Sequence, residues 1–172
     1  LRANWMQIME GELDSSHVSF LHSRIDKGAN PLAARDRMQG AMFSDATPTW
    51  LFKDTDYGIM LGARRNGEGA KSYWRVNQWL MPSFTMIAAK PGTPVHLQIR
   101  VPIDDKSSLF YRAIWHPARP LTDRERWDAE HGGVNFPEMI PGTYLPKENM
   151  DNDYLIDRAS QRTTSFSGIK SI

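Results

Sequence analysis

The amino-acid sequence predicts an α+β fold, with a helix near the amino end followed by an antiparallel sheet. Two patterns favour this architecture. Apolar residues in the first 21 positions recur at a helical spacing, and short aromatic and β-branched segments separated by turn residues fill the stretch from Thr49 to His116. The length agrees, because 172 residues of which 40% are hydrophobic can bury one core. We therefore expect a single domain.

The first helix is predicted from Trp5 to about Leu21, because the spacing of the apolar residues there is closer to a helical stripe than to strand alternation (Trp5, Ile8, Met9, Leu13, Phe20 and Leu21). From Ser23 to Ala46 no period persists, and a Gly-Ala-Asn-Pro turn starts at Gly28. We expect a long irregular connection in that stretch.

A meander of four to six strands is predicted next. Segments that begin at Trp50, Ile59 and Ser72 have the composition of strands, and Asn66-Gly67 favours a tight hairpin turn between the last two. This part of the chain should therefore form consecutive hairpins.

The most regular strand pattern runs from Val95 to Ile103, where all the aliphatic side chains share one face and His96, Gln98 and Arg100 share the other. One face should be core, and the other should be wet or line a pocket. A further strand is expected from Leu109 to His116.

A short surface helix is expected in the carboxyl-terminal third. Thr122 and Glu125 form a capping-box pattern that predicts a helix from Asp123 to His131, and Gly132-Gly133 favours its end. The proline-rich stretch Asn135–Pro146 should then be loop.

Composition excludes several classes of protein. The net charge is +1, too small to favour nucleic-acid binding, and no apolar run reaches the roughly 18 residues of a membrane span. Zero cysteines exclude disulfides, zinc ribbons and thiolate nucleophiles. We expect a soluble, cytoplasmic protein that binds neither nucleic acid nor membrane. A chain that starts at Leu1 without a secretory signal is interpreted as a fragment.

The densest group of potential metal ligands lies between Glu10 and His22. Two imidazoles, from His17 and His22, together with one carboxylate would make the facial triad typical of non-haem Fe(II), although zinc accepts the same ligands. Glu10 and Glu12 are interpreted as solvated helix charges.

Helix geometry limits how the two imidazoles could meet. At about 100° per residue, side chains five positions apart are about 140° out of phase. Either the helix must end so that His22 can return from a loop, or a π-bulge must restore the alignment. Asp14 is three positions before His17 and shares its helix face, so it could orient the imidazole.

Two blocks of sequence resemble one enzyme family. Asn4-Trp5, Glu10-Gly11 and Asp14-x-x-His17-x-x-x-Leu21-His22 resemble the iron-binding motif of Rieske non-haem iron ring-hydroxylating oxygenases, within the phthalate dioxygenase-like group. Pro141–Pro146, Asn152–Arg158 and Gln161–Ile169 are similar to later catalytic-domain sequence of the same group. Together the blocks bracket nearly the whole chain.

The resemblance implies the catalytic domain of the large (alpha) subunit, with a helix-grip (Bet v1-like or START-like) fold over residues 1–172. It implies that His17 and His22 bind mononuclear Fe(II), and that Asp14 carries electrons from a neighbouring subunit's Rieske cluster. The third iron ligand would be an Asp beyond Ile172, on a helix absent from the sequence. The 2Fe-2S Rieske domain would precede Leu1, so that this fragment alone would be inactive. Asp151, Asp153 and Asp157 belong to the second block and are interpreted as turn and surface charges.

The resemblance also implies the reaction and its partners. A dioxygenase or monooxygenase of aromatic catabolism would use dioxygen and NADH-derived electrons, delivered by a reductase or ferredoxin, to hydroxylate an aromatic ring or O-demethylate an aryl ether. The small aromatic substrate would be a carboxylate. Assembly as a homo-oligomer, a trimer or hexamer, would follow. The candidates to pair the substrate carboxylate are four arginines: Arg64, Arg75, Arg100 and Arg112.

Two other functions remain open at the level of sequence. A helix-grip cavity lined by Trp, Phe and Met could carry an apolar ligand without any metal. A zinc hydrolase could use His17 and His22 as ligands and Glu10 or Glu12 as base, although the chain lacks the usual His-Glu-x-x-His spacing.

Overall fold

The computed structural model describes residues 1–26, 37–67, 69–88, 90, 92–131 and 137–169. The helices are α1 (Trp5–Leu13), α2 (Val18–Leu21), α3 (Arg37–Ser44), α4 (Asp123–His131) and α5 (Arg158–Thr163), with a 3-10 helix at Met150–Leu155. The strands are β1 (Thr49–Thr55), β2 (Gly58–Asn66), β3 (Ser72–Leu80), β4 (Phe84–Ile87), β5 (Val95–Asp104) and β6 (Ser107–Trp115).

The chain divides into two compact units. The first comprises Leu1–His17 and Ser44–Pro120, and the second comprises Val18–Phe43 and Leu121–Ile172. The first unit contains α1 and the whole sheet, and the second contains the other helices apart from the last residue of α3.

The sheet of the first unit is a six-stranded antiparallel meander, in which every strand pairs with its neighbour in sequence. Helix α1 packs against β3, β4 and β5. This confirms the predicted α+β, helix-grip type of fold. The sequence did not resolve β4, whose four residues are too few for a readable alternation.

The turn between β2 and β3 is longer than predicted. Asn66 still pairs with Ser72 in the sheet, so the loop runs from 67 to 71, and position 68 lies outside the described residues. Gly67 donates its N–H to the carbonyl oxygen of Lys71 at 2.9 Å. A Cβ at Gly67 would lie 2.9 Å from that same oxygen, so the close approach requires glycine.

Most of the buried side chains of the sheet are polar. Six polar ones are at most 7% exposed: Arg65, Asn77, Thr85, Gln98, Arg100 and Ser108. The strand register places Thr85 opposite Gln98 on the face that meets α1. On the other face of β5, Val101 is 41% exposed and Ile103 is 61% exposed. The alternation in β5 was predicted correctly, but its polar face is the buried one.

Glu12 connects α1 to this polar face. Its carboxylate forms an ion pair with the fully buried guanidinium of Arg100 and accepts a hydrogen bond from the Thr85 hydroxyl at 2.8 Å. Arg100 also donates to the side-chain oxygen of Gln98 at 2.9 Å. The interpretation of Glu12 as a solvated helix charge was therefore wrong, because its partner lies on a strand 88 positions away along the chain.

Three elements of the second unit were not predicted from the sequence: helix α3, the 3-10 helix at Met150–Leu155 and helix α5. Helix α3 occupies part of the stretch expected to be irregular, and its Ala41 is buried. The carbonyl oxygen of Met42 in α3 accepts a hydrogen bond from the Ser19 hydroxyl at 2.7 Å. The predicted turn at Gly28–Pro31 lies outside the described residues.

Helix α4 has the predicted bounds. The Thr122 N–H donates to the Glu125 carboxylate at 2.7 Å, and the Glu125 N–H donates to the Thr122 hydroxyl at 3.2 Å, which completes the capping box. The helix stop predicted at Gly132-Gly133 lies outside the described residues. In the part of the chain that the structure describes, none of the helices has the length and apolar character needed to span a bilayer.

Replacing Glu12 by Gln should destabilise the chain by about 3 kcal/mol, because it leaves the buried charge of Arg100 without its counter-ion. The measurement is the free energy of unfolding in urea. A matched control is Glu138→Gln, which removes an exposed ion pair with Lys147 and should cost less than about 1 kcal/mol. Equal losses for the two variants would contradict the role given to Glu12.

Candidate functional site

The candidate site is the turn that follows α1, from Asp14 to His17. The Asp14 N–H still donates to the Glu10 carbonyl at 3.0 Å, but its backbone is extended (φ −63°, ψ 119°), so the helix ends there. The Asp14 carboxylate accepts the N–H groups of Ser16 at 2.7 Å and of His17 at 2.9 Å. A side chain that takes the next N–H groups competes with the helix and starts a turn. The single helix predicted to Leu21 is therefore wrong: a turn separates α1 from the one-turn helix α2.

This turn brings Asp14 and His17 together. The Nδ1 atom of the His17 ring lies 3.5 Å from Oδ2 of Asp14. The Asp14 side chain is 40% exposed and the His17 side chain is 30% exposed, so both reach the surface of the first unit. A carboxylate beside Nδ1 favours a proton on that nitrogen and leaves Nε2 as the atom that could bind a metal, as in carboxylate–histidine–metal arrangements.

The structure places His22 in the turn directly after α2, in the second unit and exposed. Helix α2 ends at Leu21, so a helix end lies between His17 and His22. This is one of the two arrangements that would remove the difference of about 140° in direction between the two side chains. Among the described residues no three imidazole or carboxylate side chains form a group that could hold a metal ion. The two imidazoles match the chemistry of ferrous iron, but they are only part of a ligand set.

Several interactions control the ionisation of Asp14. Partial burial opposes its charge, but hydrogen bonds from the N–H groups of Ser16 and His17, a hydrogen bond from the Ser16 side chain and the nearby His17 imidazole together hold the pKa of Asp14 below its usual value. The carboxylate is therefore ionised at neutral pH.

Two buried side chains hold the backbone on either side of Asp14. Asn77 of β3 donates to the Leu13 carbonyl at 3.1 Å and accepts the Ala88 N–H at 3.0 Å. Arg65 of β2 donates to the Ser15 hydroxyl at 3.0 Å and also to the Ser15 carbonyl. The residues before and after Asp14 are thus tied to two neighbouring strands of the sheet.

The four candidate arginines do not share one face. Arg64 is exposed and points away from α1, because it neighbours the α1-facing Arg65 in the same strand. Arg75, Arg100 and Arg112 lie on the α1-facing side, by strand register. Burial lowers the pKa of all three, and burial together with Arg112 lowers the pKa of Arg100 to about 10.

Phe110 lies between two of these cations. Its ring centroid is 5.3 Å from the guanidinium carbon of Arg100 and 5.7 Å from that of Arg112. An aromatic face stabilises a partly desolvated cation without neutralising it. The α1-facing side therefore carries Arg112 beside the Glu12-paired Arg100, at the end of the sheet formed by β5 and β6.

The aspartates of the second sequence block have structural contacts in the second unit. Asp157 caps α5 by accepting the N–H groups of Ala159 at 2.9 Å and Ser160 at 3.0 Å. Asp153 pairs with Arg158 at 2.7 Å, and Asp151 is exposed.

Comparison with known proteins decides the family. A model of the LigXa C-terminal domain-like family matches residues 1–172, the whole chain. The chain belongs to this family. It is a catalytic domain of the Rieske-type ring-hydroxylating oxygenases, which confirms the resemblance seen in the sequence.

Three relatives illustrate the match. The chain is 28% identical over 173 residues to the phthalate 4,5-dioxygenase oxygenase subunit of Pseudomonas putida, covering 97% of the chain and 39% of the relative. It is 28% identical over 183 residues to the 3-chlorobenzoate-3,4-dioxygenase oxygenase subunit of Comamonas testosteroni, covering 99% and 42%. The tert-butanol monooxygenase / tert-amyl alcohol desaturase oxygenase subunit of Aquincola tertiaricarbonis is 24% identical over 166 residues, covering 88% and 35%. The chain spans about two fifths of the length of these relatives.

Sequence reasoning missed the residues that support the site in this oxygenase domain: Glu12, Ser15, Arg65 and Asn77. Arg65 lies on the same face of the sheet as Ala63, two positions earlier in β2. Once the register is known, Asn77 is seen to lie opposite Leu61 on that face. Alternation alone could have placed them on the α1-facing side, but it gives no sign that this side would be polar.

The ionisation of Asp14 predicts an acid limit to stability. Because the pKa of Asp14 is lower in the folded chain than in the unfolded chain, its charge stabilises the fold above a pH of about 4, and this contribution disappears as the pH falls through the folded value. Asp14→Asn should flatten that part of the dependence. The measurement is the urea concentration at the midpoint of unfolding, for the wild type and for Asp14→Asn, at pH values between 6 and 3. Parallel curves would contradict the interpretation.

Proposed function

We propose that the chain forms the mononuclear-iron part of an oxygenase that uses dioxygen and NADH-derived electrons to hydroxylate an aromatic ring or O-demethylate an aryl ether. The observation that carries the proposal is the contact between Asp14 and His17 in a turn that interrupts a helix. In a chain of this family, that contact has the form expected of a metal-bound histidine with its orienting carboxylate.

His17 and His22 would hold Fe(II), with a third ligand, a carboxylate, supplied by polypeptide outside this sequence. The iron, when bound, would supply the activation of dioxygen. The chain's own residues would position the ligand: Asp14, whose Oδ2 lies 3.5 Å from Nδ1 of His17, would favour a proton on that nitrogen and leave Nε2 for the metal.

Asp14 would also connect the iron site to its electron source. Its side chain is 40% exposed although its backbone neighbours are buried or bonded to the sheet, so its carboxylate can reach a group on another surface. We assign that group to the 2Fe-2S Rieske cluster of a neighbouring subunit, in a homo-oligomer of three or six chains. The cluster would lie in a preceding domain and receive electrons from NADH through a reductase or ferredoxin.

The substrate is proposed to be an aromatic carboxylate. Arg75 and Arg112 lie half-buried on the α1-facing side, where burial lowers the pKa of each and where a carboxylate would be a favourable counter-ion. Two of the relatives are named for phthalate and 3-chlorobenzoate, which are aromatic carboxylates. A metal-free carrier of apolar ligands suits this side less well, because Arg65, Asn77, Thr85 and Arg100 make it polar.

The iron proposal is tested by removing each imidazole in the full-length polypeptide. His17→Ala and His22→Ala should each abolish stoichiometric Fe(II) uptake in an anaerobic titration, because a facial triad loses one of three ligands. His116→Ala and His131→Ala are matched controls, since His116 accepts the Ala118 N–H and His131 stacks on Trp127.

The wild type and the two control variants should convert aromatic acids, whereas the His17 and His22 variants should not. The measurement is product analysis over a panel of acids and their neutral amides. Ligand uptake that is insensitive to a chelator, with no product from any acid, would favour the metal-free carrier. Iron uptake unchanged in both His17 and His22 variants would overturn the proposed site.

The bridging role of Asp14 is tested by Asp14→Asn. The variant keeps one of the two side-chain oxygens and leaves both histidines in place, so iron content at saturating Fe(II) should remain near that of the wild type. Electron delivery should slow, because the charged link to the neighbouring subunit is lost. The measurement compares iron content with the product yield of a single turnover. Loss of both together would refute the bridging role.

A further inference from the structure

Arg65 is the most unusual buried residue near the candidate site. It is 1% exposed, and its three hydrogen bonds go to uncharged oxygens: the Asp45 carbonyl at 2.8 Å, the Ser15 hydroxyl at 3.0 Å and the Ser15 carbonyl. Burying a cation against neutral partners is costly, and burial lowers the pKa of this guanidinium. A methionine or leucine would fill the space at less cost, so a simple packing role does not account for the arginine.

The geometry of the guanidinium explains its use. Two of its nitrogens, Nη1 and Nη2, reach the same residue, Ser15, one through the side chain and one through the main chain. The planar guanidinium can hold the rotamer and the peptide orientation of Ser15 at once, whereas the three donors of a lysine ammonium all lie on one nitrogen. The third nitrogen, Nε, ties the fork to the segment that leads into β1.

Ser15 is the link between the two residues of the candidate site. It lies directly after Asp14, and the next two N–H groups, those of Ser16 and His17, are the ones that the Asp14 carboxylate accepts. Rotation of the Ser15 peptide would move these donors away from the carboxylate. It would also separate Oδ2 of Asp14 from Nδ1 of His17, now 3.5 Å apart.

The charge of Arg65 acts in the same direction. Asp14 and Asp45 are close enough that their carboxylates favour the charged form of Arg65, and the attraction is reciprocal. Asp45 itself is held by the N–H groups of Asn66 at 2.8 Å and Thr47 at 3.2 Å. Arg65 is therefore held in place through Asp45, and its hydrogen bonds restrict the movement of Ser15.

We propose that Arg65 is a positioning residue, which holds the Asp14–His17 turn in the one conformation that sets the Asp14 carboxylate against the His17 ring. The consequence of this inference, an effect on the binding of Fe(II) by His17, rests on the proposed function. Its local part, the order of the turn, does not depend on any metal.

The test uses the full-length polypeptide with Arg65→Met, Arg65→Lys and Ser15→Ala. The matched control is Arg64→Met, the neighbouring arginine on the opposite face of the same strand. Amide hydrogen exchange in the metal-free protein should rise at least about tenfold at Ser16 and His17 in Arg65→Met, while the amides of β2 and β3 keep their rates. Arg65→Lys and Ser15→Ala should lie between Arg65→Met and the wild type, and Arg64→Met should match the wild type.

The second readout is Fe(II) affinity, which should fall by about 10-fold to 100-fold in Arg65→Met. Wild-type exchange at Ser16 and His17 in Arg65→Met would overturn the inference. If Arg65→Met fails to fold, wild-type exchange in both Arg65→Lys and Ser15→Ala would overturn it. A wild-type protein that binds no iron, with exchange still raised in the Arg65 variants, would refute the proposed function and leave the positioning role standing.

Discussion

The carboxylate of Asp14 takes two main-chain N–H groups that a continuous helix would have used, and the arrangement of the candidate site depends on that exchange. With the carboxylate bonded to Ser16 and His17, α1 ends at Leu13 and the chain turns before α2 begins. The same bonds place Oδ2 against the His17 ring and hold the pKa of Asp14 low. One side chain thus ends a helix, lies beside an imidazole and presents a negative charge at the surface of the first unit.

The sheet supplies the frame for this turn, and it does so with polar side chains. Arg65, Asn77 and Arg100 project from β2, β3 and β5 and bond to Ser15, Leu13 and Glu12 respectively. Apolar side chains can shift against one another at little cost in free energy, whereas a hydrogen bond to a particular carbonyl is lost when donor and acceptor move apart by about an ångström. A buried polar network is thus suited to fix the end of α1 in register with the sheet, at the cost of desolvating two guanidinium groups.

Much of the architecture could be predicted from local patterns. The strand alternation from Val95 to Ile103, the capping box at Thr122 and Glu125, and the spacing of Asp14, His17 and His22 are all local, and each predicted an element or a motif. The turn after β2 was predicted as tight, but Asn66 remains paired in the sheet and the loop extends to Lys71. Helix α1 was predicted too long, because apolar spacing continues through Phe20 and Leu21 while the hydrogen bonds of Asp14 end the helix at Leu13.

The support for the site could not be predicted, because its contacts join distant parts of the chain. The carboxylate of Glu12 meets a guanidinium 88 positions away, and Ser15 meets one 50 positions away. Nothing in the local sequence distinguishes Arg65, which is buried, from Arg64, which is exposed. Family membership identified the kind of domain, whereas the role proposed for Arg65 rests only on the geometry of its three hydrogen bonds.

The central claim is that the imidazoles of His17 and His22 belong to one iron site. The most direct measurement is pulsed electron paramagnetic resonance of the full-length polypeptide loaded with Fe(II), with nitric oxide as the spectroscopic probe, which counts the imidazole nitrogens on the metal. The account predicts two histidine nitrogens in the wild type and one fewer in each variant that retains any iron. A wild-type spectrum without coordinated histidine, or two nitrogens remaining after either His17 or His22 is replaced, would contradict it.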